Sequence, residues 1–166
     1  MKWWFAIFLM VFSSLVLLIQ LKKTQTNKPQ QVQVIDSIIV TRPTGEKLII
    51  KGNDVESNLI LNHFNSECSL CVAEVNDILT YSKLERTKVL FLSVELLSTI
   101  QAFSSELKQQ NVDRLMVSFA RIDSTMVISL FGDFSTPKTI LFKEGLKPIK
   151  KINGLATYRE ISKGFE

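Results

Sequence analysis

Leu59-Ile60-Leu61-Asn62-His63-Phe64-Asn65-Ser66-Glu67-Cys68-Ser69-Leu70-Cys71 is the stretch that decides the fold of this chain. Leu59 to Phe64 reads as a short buried strand, while Cys71, Val75, Ile78 and Leu79 recur at helical spacing just afterwards. Cys68 therefore falls at the start of a helix and Cys71 one turn inside it. These are the only two cysteines among 166 residues, so both thiols meet at one strand-to-helix junction.

That placement is chemical. Unpaired backbone N–H groups and the helix dipole stabilise an anion at a helix start, so the Cys68 thiolate is favoured and Cys68 is the candidate attacking nucleophile. A thiol three residues on can cleave the mixed disulfide formed when Cys68 attacks a substrate, which makes Cys71 the candidate resolving thiol. A structural zinc site needs four ligands, and apart from the pair the chain offers only His63, one strand upstream. A purely structural disulfide normally clamps distant segments, because its entropic stabilisation grows with loop length, and this loop is minimal. A CxxC at such a junction is instead a redox signal.

The rest of the domain supplies the frame. Val34–Val40 and Lys47–Lys51 flank Arg42-Pro43-Thr44-Gly45-Glu46 as a β-hairpin. Lys88–Val94 is a second buried strand, and Ser98–Gln110 is a helix with Ile100, Phe103 and Leu107 on one face. Leu115–Ile122 reads as extended and Ser124–Phe131 as helical. Thr139–Phe142 and Pro148–Asn153 are strands joined tightly at Lys143-Glu144-Gly145, hence antiparallel, and Thr157–Lys163 closes the chain as a helix. Strand, helix, strand, helix followed by an antiparallel pair predicts an α/β layered sandwich.

Ahead of this domain, Trp3 to Ile19 is apolar except for Ser13 and Ser14, with Lys2 before it and Gln20, Lys22 and Lys23 after it. That length spans a bilayer as one helix, and Trp3 and Trp4 suit an interfacial belt. A cleaved signal peptide is the competing interpretation, but no A-x-A-like site follows Ile19. The expected organisation is an N-terminal transmembrane anchor at 1–21, a linker rich in Lys, Thr, Gln and Asn at 22–33, and a domain at 34–166. Counting flanking lysines alone places the domain in the cytoplasm. The absence of stray cysteines favours an oxidising compartment instead. The net charge of +4 arises in the first thirty residues, which hold four lysines and no acid, so the remainder balances at sixteen basic and sixteen acidic residues. No nucleic-acid partner is expected.

The ordered set Leu61-Asn62-His63-Phe64, Cys68-Ser69-Leu70-Cys71 with Glu74, Thr136-Pro137 before a strand, and Lys143-Glu144-Gly145 at a hairpin resembles the thioredoxin superfamily. Within it, the nearest likeness is to the membrane-anchored TlpA/ResA-type thiol-disulfide oxidoreductases. The resemblance implies a thioredoxin-like three-layer α/β sandwich with a central mixed β-sheet, preceded by one transmembrane helix and lying on the periplasmic side of an inner membrane. It implies that Pro137 is cis and packs beside the cysteines, leaving the Thr136 backbone to pair with an extended substrate. It also makes Glu74 the proton acceptor for Cys71, since Asn62 stands where thioredoxin itself has a titratable aspartate. Catalytic residues Cys68, Cys71 and Glu74, and substrate-binding residues Thr136 and Pro137, follow.

Glu67 replaces the usual aromatic before the first cysteine, and Ser69-Leu70 replaces the usual dipeptide between the two. A carboxylate beside Cys68 opposes its ionisation, and no histidine lies within the motif, which predicts a reductant rather than a strong oxidant. His63, on a buried strand, is expected to pack rather than catalyse. No cofactor or metal is called for. The expected partners are disulfide-containing protein substrates and a membrane or extracytoplasmic thiol electron donor. A non-catalytic interaction module with a static disulfide, and a thiol peroxidase, remain the rival functions.

Overall fold

The computed structural model describes residues 35–85, 87–107 and 117–166. The anchor expected at 1–21 and the linker at 22–33 lie outside the described residues, as do 108–110 of the second expected helix and Leu115-Met116 of the third core strand. No helix among the described residues is long and apolar enough to cross a membrane.

The strands are β1 (Ser37–Thr41), β2 (Lys47–Lys51), β3 (Leu59–His63), β4 (Lys88–Ser93), β5 (Val117–Ile122), β6 (Lys138–Phe142) and β7 (Pro148–Asn153). They form one mixed sheet in the order β2-β1-β5-β4-β3-β6-β7. β3, β4 and β5 run parallel, whereas β1 and β2 at one side and β6 and β7 at the other join antiparallel. The helices are α1 (Ser69–Glu85), α2 (Leu97–Leu107), α3 (Ser124–Phe131) and α4 (Tyr158–Phe165). The hairpin turns where expected, with Gly45 at φ 86° and Arg42 paired to Glu46 at 2.9 Å. A short 3-10 turn at Gly52–Asp54, not foreseen from sequence, links the hairpin to β3.

β3 lies at the centre, and all five of its residues are buried. Successive side chains of a strand point to opposite faces, so β3 feeds two cores. Ile60 and, just past the strand, Phe64 join Cys71, Val75 and Ile78 of α1, Ile100 of α2 and Ile161 and Phe165 of α4. Leu59 and Leu61 join Val127, Leu130 and Phe131 of α3 on the opposite side. Three helices thus cover one face and one the other, the three-layer sandwich with a mixed sheet that was expected. The continuous apolar runs of β3 and β4 reflect burial on both faces.

Aromatic rings lock the first core beneath the cysteine loop. Phe64 stacks on Phe103 at 5.1 Å and meets Phe91 and Phe119 edge-on, while Phe91 and Phe119 stack at 4.8 Å. Phe91 is fully buried, so Phe91→Ala is expected to cost about 3–5 kcal/mol of stability. Ile39→Ala, on a side chain 46% exposed, is expected to stay within about 0.5 kcal/mol. Chemical-denaturation midpoints of the two variants check the contrast.

Candidate functional site

The parallel strands end at the same edge of the sheet, and the loop after β3 crosses there into α1. Phe64 remains tied to the sheet through its N–H to the Leu92 carbonyl at 2.9 Å. The Cys68 carbonyl accepts the Val72 N–H at 3.1 Å, so Cys68 occupies the cap position of α1, one residue before its first helical residue. The loop is braced from β4. Glu95 accepts the Ser66 N–H at 3.0 Å, the Ser66 hydroxyl at 2.6 Å and the Ser93 hydroxyl at 2.8 Å.

Both cysteines are free thiols, Cys68 half-buried and Cys71 fully buried. The Cys71 N–H points at the Cys68 sulfur, 3.2 Å away. Burial works against ionisation of Cys68, but hydrogen bonds from the Cys71 thiol and N–H, the Thr136 hydroxyl and the Leu70 N–H outweigh it, holding its pKa below the usual thiol value. Glu67 is exposed and is not among these causes, so the opposition expected of its carboxylate does not figure in the Cys68 shift. For Cys71, burial first, then its hydrogen bond to Cys68 and the charge there, push the pKa up to about 11, while the Asn65 backbone and Thr136 hydroxyl pull weakly back. One thiol is readied for attack and the other is held protonated.

The Thr136-Pro137 peptide is cis. Thr136, just outside the β6 ladder, reaches both sulfurs with its side chain, and the cis bond joins it to Pro137. The Pro137 carbonyl accepts the Gly154 N–H at 3.0 Å, tying in the loop after β7.

Glu74 is fully buried one turn beyond Cys71. Its carboxylate accepts the Thr139 hydroxyl at 2.6 Å rather than contacting Cys71, and the same hydroxyl accepts the Asn62 side-chain N–H at 2.9 Å. Oε2 of Glu74 and Oδ1 of Asn62 complete no hydrogen bond. Burial raises the Glu74 pKa to about 7 against the pull of the Thr139 hydroxyl and the Ala156 N–H, with Asp77 and Glu160 adding to the rise. Thr139 is the member that sequence reading missed. The signal for it was alternation: Asn62 and Thr139 are register partners, and both face α1.

The opposite face carries a second polar pair from the same two strands, His63 and Lys138. His63 packs on Phe131 at 5.2 Å and burial lowers its pKa, so it is a structural residue. Lys138 is buried and donates to the Phe131 carbonyl at 3.1 Å while pairing with Asp133 at 2.7 Å. Asp133 in turn accepts the Ser135 N–H at 2.7 Å, fixing the loop that delivers Thr136. Among the described residues no three His, Cys, Asp or Glu side chains cluster as a metal site.

A central mixed sheet, helices on both faces, a CxxC capping the first helix and a cis-proline beside it define a known architecture. This is the thioredoxin fold. Solved structures similar to the chain include the thioredoxin domain of a thiol-disulfide oxidoreductase from Bacteroides vulgatus, with TM-score 0.64, 14% identity, and coverage of 84% of this chain and 100% of that one. StoA from Bacillus subtilis matches with TM-score 0.58 and 14% identity over 80% of this chain and 99% of that one. The exposed lipoprotein thioredoxin Etrx1 of Streptococcus pneumoniae matches with TM-score 0.59 and 17% identity over 78% and 97%. No protein-family model matches the sequence, and no curated protein matches it.

The buried carboxyl gives thioredoxin-fold stability a pH dependence here. An unfolded glutamate titrates near 4.5 and Glu74 near 7, so the folded state binds the extra proton between these values. Stability contributed by protonated Glu74 is therefore full below pH 4.5 and lost as pH rises through 7. The shift corresponds to about 3 kcal/mol. Glu74→Gln, which cannot ionise, is expected to gain about 2–3 kcal/mol relative to the parent between pH 5 and pH 8, measured by denaturant unfolding at both pH values. A stability difference that does not change with pH overturns the assignment of that titration to Glu74.

Proposed function

We propose that this chain is a membrane-tethered thiol-disulfide oxidoreductase that reduces disulfides of proteins outside the cytoplasm. The observation that carries the reading is the division between the two thiols: Cys68 half-exposed with a lowered pKa, Cys71 buried with a raised one, and the Thr136 hydroxyl beside both. The Cys68 thiolate attacks one sulfur of a substrate disulfide, forming a mixed disulfide and releasing the other substrate sulfur, which takes up a proton. Cys71 then gives up its proton and attacks the Cys68 sulfur, releasing the second substrate sulfur as a thiol. The substrate gains two electrons, the chain ends as the Cys68–Cys71 disulfide, and a thiol donor at the membrane returns it to the dithiol.

Glu74, one helical turn from Cys71 and titrating near 7, suits the proton acceptor in the second step. Thr136, outside the β6 ladder, leaves its main chain available to an extended substrate held as an added strand. Reduction rather than oxidation is favoured because the groups lowering the Cys68 pKa are neutral hydrogen-bond donors, with no histidine in the motif to hold a permanent thiolate. The similar Bacteroides domain belongs to a thiol-disulfide oxidoreductase and the pneumococcal protein is an exposed lipoprotein, which supports redox work outside the cytoplasm. The apolar run from Trp3 to Ile19 supports a single-pass anchor in the inner membrane.

A redox titration of the chain in glutathione and dithiothreitol buffers is expected to show one reversible two-electron transition. Cys71→Ser is expected to accumulate a mixed disulfide with a disulfide substrate, and Cys68→Ser to form none. A pair that stays oxidised across the accessible range supports the static interaction module instead, and rapid turnover of peroxide supports the peroxidase.

A further inference from the structure

Four loops converge at the Cys68 end of the sheet: 64–68, 94–96, 132–137 and 154–157. Hydrogen bonds join them, from Ser66 to Glu95 and from Gly154 to Pro137, and the Thr136 hydroxyl reaches the cysteine sulfurs. Together with the exposed turn at the start of α1 they hold a set of uncovered apolar side chains. Leu96 is 67% exposed, Leu70 56% and Phe134 51%, with Val94 and Leu155 less so. A monomer gains nothing by leaving such residues in water around a reactive sulfur, and an apolar patch of this kind marks a contact surface.

The charges at this end are one-sided. None of the four loops contains a lysine or arginine, whereas Glu67, Glu95 and Asp133 lie within them. Asp133 is neutralised by Lys138, whose ammonium is buried and committed to that carboxylate and the Phe131 carbonyl. Among the described residues, the Glu95 carboxylate accepts from the neutral donors of Ser66 and Ser93. Glu67 is exposed immediately before Cys68. Asp123 caps α3 at the same end, and Arg121 stands on β5 as the register partner of Ser93. Among the described residues neither Glu67 nor Glu95 therefore forms an ion pair, and both stand on loops at the Cys68 end of the sheet.

We propose that this rim selects a cationic, apolar disulfide segment: a lysine or arginine beside the substrate cysteine pairs with Glu67, and apolar neighbours cover Leu70, Leu96 and Phe134. The inference rests on the oxidoreductase reading above and names the substrate class for that site. Complementary charge acts mainly on encounter and register, and it weakens as salt screens it.

Two synthetic peptides, each closed by one disulfide and identical except for Lys or Glu flanking the first cysteine, provide the probes. The reduced full-length chain in detergent is mixed with each, and each rate is divided by that of dithiothreitol with the same peptide to remove intrinsic disulfide reactivity. At low ionic strength the Lys peptide is expected to react about three- to tenfold faster. The ratio is expected to approach one in 0.5 M salt, to fall in Glu67→Gln and to invert in Glu67→Lys. Leu96→Ser is expected to slow both peptides alike. Equal normalised rates at low salt, or a ratio that Glu67→Gln leaves unchanged, overturn the inference while leaving the oxidoreductase intact. Failure to reduce either peptide or a small aromatic disulfide overturns both.

Discussion

The pairing of β3 with β6 is the constraint on which the rest depends. Antiparallel register sets Asn62 against Thr139 and His63 against Lys138, and the alternation of side chains sends the first pair to one face of the sheet and the second to the other. The first pair lies under α1, where it holds Glu74. The second lies against α3, where it holds the loop that brings Thr136 and the cis-proline to the sulfurs. A slip of one residue would exchange these sets and put a lysine beneath the cysteine helix. The apolar neighbours Ile60, Leu61, Ile140 and Leu141 prevent such a slip, since each is buried in the core its own face requires.

Around this pairing the two thiols are made unequal by position alone. Cys68 caps a helix and collects donors from Cys71, Leu70 and Thr136; Cys71 turns into the first core against Phe64 and Val75. Burial disfavours charge at both, and only Cys68 has enough donors to reverse it. The same burial acts on Glu74, whose neutral form the interior favours against the pull of the Thr139 hydroxyl and the Ala156 N–H. Three titratable groups within two turns of one helix thus have their pKa values moved in different senses, Cys68 down and Cys71 and Glu74 up.

The polar groups around the site fall into two kinds. Glu95, Asp133 and Lys138 are bound to loop backbone or to each other, and they give the loops a fixed geometry. Asn62, Thr139 and Glu74 form a short buried chain that still has an unused oxygen at each end. Buried polar atoms are ordinarily satisfied, so this buried chain costs stability that a wholly apolar packing would not.

Sequence by itself determined the layered α/β architecture, the helix-start position of Cys68 and the inward turn of Cys71, while the nearness of Thr136 and Pro137 to the pair was implied only by the family resemblance. These are legible because they rest on local periodicity, on turn chemistry and on a motif whose spacing equals one helical turn. Glu74 was legible as a residue, but its partner was not. Thr139 stands 65 residues away along the chain, and only the strand order and register bring its hydroxyl to the carboxylate. Glu95, Asp133 and Lys138 escaped for the same reason, because their roles are contacts between loops that share nothing in sequence. The downward shift of Cys68 rests mainly on donors local to the motif, the Cys71 thiol and N–H and the Leu70 N–H, and among its donors only the Thr136 hydroxyl arrives through tertiary structure. Local chemistry set what each residue was able to do, and the register of two strands decided which of them meet.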